Sequence, residues 1–84
     1  MISIATLRNS ETTLVHARHL VAQSILCHGG WTTNDHLDFL EQEGIRLADQ
    51  VFYLGEWLPI DLVVCHWLDE PGVCVAEAQL ALVG

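Results

Sequence analysis

The chain has 84 residues, of which eleven are acidic and three are arginine, with no lysine, for a net charge of −8. That length fits one domain over residues 1–84, and the charge repels phosphate, which argues against direct contact with nucleic acid or anionic membranes. The apolar fraction is 51%, slightly above the usual ~45–50%, so apolar side chain is left over for a partner surface or an oligomer interface.

The charge is lopsided. Residues 1–34 hold Glu11 against Arg8 and Arg18, whereas residues 35–84 set ten acids against Arg46 alone, a local net of −9. Such a half attracts a basic partner and accelerates the encounter at low salt. It also keeps an apolar domain soluble. Cys27, Cys65 and Cys74 are an odd set. A secreted disulfide scaffold shows an even one, so the expectation is reduced thiols packed as small apolar residues in a cytoplasm. The N-terminus lacks the basic start and apolar run of a signal peptide. No apolar stretch reaches the eighteen residues of a membrane span.

In chain order, Ile2–Leu7 alternates and is β-rich at its start, which suits a short strand or an extended arm. Residues 11–28 read as a helix, with Leu14, Ala17, Val21 and Ile25 at steps of three and four. Ser10 is placed to cap its start and Gly29 to take a left-handed position past its end. Gly29–Asn34 is a turn. Thr32 and Asp35 have the spacing of a capping box that opens a second helix.

Leu37, Leu40, Gly44, Leu47, Val51, Leu54 and Leu58 then recur at strict 3-4 spacing, which predicts a continuous or kinked helix over 35–54. Gly44 qualifies this: it permits a helix end at Glu43, with a new start at Ile45, or close approach of a neighbour. Pro59 suits the first turn of a short helix over 59–69. Asp69 or Glu70 with Pro71 opens the last segment, in which alanine and leucine favour helix. The sum is an all-α, compact bundle of about four helices. The alternative is a small α+β domain with a short N-terminal strand, in which 2–7 pairs with 62–68 or 73–78.

Chemistry-bearing residues are scattered. His16 and His19 sit three apart on one helix, a half-site for metal, but neither Cys65-x8-Cys74 nor the two Cys-His dipeptides has structural-zinc spacing. No metal and no cofactor are expected. His66 and Glu70 are placed to pair on a helix face, yet no oxyanion or phosphate motif accompanies them and no catalysis is expected. Asp35, Asp38 and Gln42 share a stripe on the predicted second helix, which Asp49 extends. Of three tryptophans, Trp67 reads as core, Trp31 as a lid and Trp57 as an interface anchor.

The expected function is therefore binding to a basic protein or protein complex, as an inhibitor or anti-activator. The partner-binding residues would be Asp35, Asp38, Glu41, Glu43, Asp49, Glu56 and Trp57. Small phage-encoded inhibitors of host nucleic-acid-binding defence complexes, anti-CRISPR proteins among them, are similar in size and charge. That is a likeness of profile without a shared motif. The alternatives are a homodimer built on the 37–54 seam and a small metal-binding protein using His16, His19 and a cysteine.

Overall fold

A computed structural model describes residues 4–83, with side-chain surroundings over 9–79. Among the described residues there are four helices and one hairpin. They are α1 (Ile4–Cys27), α2 (Thr33–Gln42), strands β1 (Gln50–Tyr53) and β2 (Glu56–Pro59), α3 (Ile60–Asp69) and α4 (Pro71–Val83). The molecule is thus mostly helical, as expected, but carries a small antiparallel sheet that the all-α reading lacked.

α1 is the frame. Its 24 residues span about 36 Å, most of the 42 Å longest extent. Residues 4–7, predicted as strand or arm, are its first turns, while residues 2 and 3 lie outside the described residues. Ala17, Leu20, Val21 and Ala22 bury its central face. Ser10 is not its cap but an interior residue with another task, described below. Gly29 has no positive φ. The helix ends as the His28 N–H donates to Ser24 C=O at 2.8 Å and a turn carries the chain to Trp31.

α2 begins at the predicted capping box. Asp35 N–H donates to Thr32 Oγ1 at 3.3 Å, and Thr32 N–H donates to Asp35 Oδ2 at 3.0 Å. It is not a twenty-residue helix, because it stops at the Glu43 cap. Gly44 has φ +91°. Its N–H donates to Glu41 C=O and the Ile45 N–H to Leu40 C=O, the paired bonds of a Schellman end, which satisfies carbonyls the helix leaves open. Ile45 turns into the core beside Leu40. The stop proposed for Glu43 is the outcome, and the 37–54 seam is no single helix face.

The second half of that seam is extended. Gln-Val-Phe-Tyr is β-branched and aromatic, and Leu54-Gly55 joins it to β2 with φ +53° and +85°. Two consecutive positive φ values define the tight mirror-image turns that match strand twist. The register pairs Val51 with Leu58 and Phe52 with Trp57. Val51 faces the core, and Phe52 faces out.

Two backbone bonds then fold the hairpin back. Ile60 N–H donates to Asp49 C=O and Asp61 N–H to Leu47 C=O. Pro59 is the cap of α3 rather than its first residue. Ile60, Val63, Val64 and Trp67 bury one side of α3, but Cys65 is exposed. Cys27 is exposed too, so the expectation of three core thiols holds only for Cys74. Burial pushes the Cys74 thiol up to about 11, which keeps it protonated and inert. No described helix is long and apolar enough to cross a membrane.

Candidate functional site

The structure divides the predicted partner-binding residues between two regions. Asp35 and Asp38 lie on α2 and, with Trp31, Phe39 and Gln42, line one depression. Glu41 and Glu43 close the same helix. Asp49 and Trp57 lie instead at the hairpin and share a hollow with Asn9, Ser10 and Thr13 of α1. Glu56 opens β2 opposite Tyr53. Among the described residues α2 touches α1 and α3 but neither strand. Ser10 ties the hairpin to α1, and Ser24 ties α2 to it. Fourteen residues of helix separate them, about 21 Å. Asp49 therefore does not continue the α2 stripe: it sits in a turn, ion-paired with Arg46 at 3.2 Å.

The α2 carboxylates are left without bases. Among the described residues the ion pairs are Arg46 with Asp49, and Arg18 with Glu77 at 3.5 Å. Asp35 serves the N-terminal cap, where a carboxylate is favourable. Glu41 and Glu43 crowd the C-terminal end, whose last turn has no base. Acids there oppose the helix dipole, typically by 0.3–1 kcal/mol each at low salt. Helix stability alone does not account for them.

At the hairpin, exposed Phe52 and Leu54 and half-buried Trp57 stand beside exposed Gln50 and Glu56. Phe52 and Trp57 form a cross-strand pair, with ring centroids 5.6 Å apart and 52° between planes. Phe52 is 42% exposed and Leu54, at the tip, 75%. Leu54 also holds its left-handed φ, a conformation that costs a residue with a Cβ about 1–2 kcal/mol. Sequence reading placed Leu54 in a helix seam and so missed it. Leu-Gly lacks the asparagine that ordinarily marks such a turn.

Trp31 stacks on His28 (3.9 Å, 3° between planes) and meets His36 and Phe39 edge-on or tilted, so it covers these rings rather than the main hydrophobic cluster that the lid reading expected. His36, unremarked in the sequence, is only 5% exposed. The Ser24 hydroxyl donates its one proton to Val21 C=O at 2.8 Å. It is left to accept from His36 Nδ1–H, also at 2.8 Å. When neutral, the ring is thus the Nδ1–H tautomer. Burial lowers its pKa, Asp35 opposes this, and His28 adds to it.

A pKa below the unfolded value of about 6.5 means the unfolded chain binds more protons in that window. Stability is full above about pH 6.5 and falls as acid takes the pH through the lowered value. The midpoint of thermal unfolding should drop between pH 7.5 and pH 5, with His36 protonating in the same interval by side-chain NMR. A midpoint flat across that range would show that His36 carries no such penalty.

The other candidates are spread out. His16 is exposed and His19 half-buried on α1, and no group of three metal-ligand side chains comes together among the described residues. His66 and Glu70 are both exposed, and His66 packs edge-on against Tyr53. The hollow beside them holds about 20 Å³, room for roughly one water. No family model, curated protein or solved structure matches the chain.

Proposed function

We propose that the chain is a protein-binding module that docks on a basic partner, with the hairpin as its apolar contact and the α2 carboxylates as its steering charge. The observation that carries this is Leu54. It occupies a left-handed position that favours asparagine or glycine, and it leaves three-quarters of its surface in water. A residue that strains the backbone and buries so little within the chain points to compensation outside it. Phe52 and Trp57 beside it supply the aromatic surface typical of binding hot spots. Fully covering Leu54 adds about 1.5–3 kcal/mol of hydrophobic stabilisation, more than the local strain costs. An inhibitory or anti-activating effect follows if the covered surface is one the partner needs, such as a nucleic-acid groove.

The test separates strain from contact. Leu54→Asn should raise stability by about 1 kcal/mol while weakening a partner captured from the native host by roughly tenfold or more, chiefly through faster dissociation. Reversing Asp38 and Glu41 to lysine should instead slow association and flatten its salt dependence. A Leu54→Asn protein that is stabilised yet binds as before would remove the hairpin from the interface. Reversal without effect would remove the acids.

A further inference from the structure

A hollow of about 240 Å³ opens where the end of α1, the start of α2 and the α3–α4 junction meet; His28, Trp31, Thr33, His36, Leu68 and Pro71 line it. That is several times the ~30 Å³ share of one water and below the ~300 Å³ of ordinary small-molecule pockets. It suits a single side chain.

Its chemistry is defined by His36. With Nδ1 turned to Ser24, the ring presents its far edge to the hollow it lines. Nε2 has no hydrogen-bond partner among the described residues, and it is not one of the sealed polar atoms. In the Nδ1–H tautomer Nε2 is an acceptor only. The wall beside it is aromatic: His28 and Trp31 stack face to face, and each offers its outer face. Across Trp31 lie the carboxylates of Asp35 and Asp38. An acceptor on a nearly buried ring, an aromatic wall and negative charge on the far side of Trp31 together favour a planar, cationic hydrogen-bond donor. Guanidinium is the protein group with all three properties, whereas a lysine ammonium lacks the plane.

We propose that this hollow receives an arginine side chain of the basic partner. One guanidinium N–H donates to His36 Nε2, the plane packs on an outer face of the Trp31–His28 stack, and Asp35 and Asp38, across Trp31, supply longer-range countercharge. This rests on the reading of the chain as a module for a basic partner and names the chemistry of one contact. The groups facing His36 are His28 just past the end of α1, Asp35 from its own helix and the uncharged Leu68 and Pro71 from the opposite side. The contact requires neutral His36, so it is present at pH 7 and is lost as acid protonates the ring.

The probes are three blocked tripeptides, Gly-Arg-Gly, Gly-Lys-Gly and Gly-citrulline-Gly, followed by NMR at the His36 ring nitrogens and the Trp31 indole. The arginine peptide should shift both signals saturably, with Kd on the order of 1 mM. The lysine and citrulline peptides should bind roughly tenfold more weakly or worse, and Asp38→Asn should weaken the arginine peptide without altering the fold. Trp31→Ala should abolish the shift at His36 if the protein remains folded. Absence of a saturable shift, equal response to citrulline, or shifts confined to the hairpin would each overturn the assignment. Where the peptide fails but partner affinity still depends on Leu54, the arginine hollow is wrong and the docking reading stands.

Discussion

Trp67→Ala should destabilise the protein by about 3–5 kcal/mol. For a domain of this length that is a large share of the ~5–10 kcal/mol expected in total. Trp67 is 3% exposed in the last turn of α3. It lies edge-on to Tyr53, with ring centroids 6.0 Å apart, and beneath the Arg18 guanidinium at 5.6 Å. Burying an indole removes 150–250 Å² from water, worth about 4–6 kcal/mol at 25 cal/mol per Å². One term opposes this: the indole Nε1 is buried beside the Tyr53 hydroxyl but makes no hydrogen bond of acceptable geometry with it. An orphaned donor costs about 1–3 kcal/mol, so burial wins, but by less than the area suggests. Trp67→Phe isolates the two terms. It keeps most of the apolar volume and deletes the orphan, and it should cost only about 1 kcal/mol. Urea unfolding of both variants decides the matter. If phenylalanine proves as damaging as alanine, the indole N–H has a partner after all, and the one-water hollow lined by Tyr53 and Trp67 is where a bridging water would sit.

Ser10→Ala should cost about 1–3 kcal/mol, far more than a serine within a helix ordinarily contributes. Ser10 is buried on α1, and its hydroxyl accepts from Phe52 N–H at 2.7 Å across 42 residues of chain. Phe52 pairs with Trp57 two residues from the turn. Its amide therefore faces away from β2 and needs an acceptor elsewhere. A two-stranded hairpin is marginal by itself, and this bond hangs it from the frame. Alanine leaves the amide unpaired. Hydrogen exchange at Phe52 should accelerate and the hairpin should loosen first, while Asn9→Ala, on the exposed neighbour, stays within about 0.5 kcal/mol. A Ser10→Ala protein with unchanged Phe52 exchange would show that the hairpin is held by Val51 burial alone. Partner affinity should fall along with the hairpin, because Leu54 and Trp57 depend on that anchor.

The legible parts of the fold were those written in local sequence. The periodic face of α1, the Thr32–Asp35 box, the Pro71 start of α4 and the burial of Trp67 each rest on residues within a turn or two of one another. The acidic half was equally plain, since charge is a count. The seam from Leu37 to Leu58 misled because a 3-4 pattern of leucines is as compatible with a helix followed by a hairpin as with one long helix. Gly44 carried the correct stop as one option among three. What selected it was Ile45 turning into the core beside Leu40, a contact that spacing cannot reveal.

The candidate sites divide along the same line. Sequence alone determined that this is a small, acidic, largely helical chain, with carboxylates gathered after residue 34 and few bases to meet them. Those facts depend on composition and on short-range geometry. Tertiary structure decided that Asp49 belongs with Trp57 rather than with Asp38, and that Cys65 faces water. It also decided that Leu54 stands strained at a hairpin tip and that His36 is buried with its Nδ1–H turned to Ser24. Each of these depends on which distant segment covers a residue. Burial, strain and tautomer are set by such long-range neighbours, and no local pattern names them.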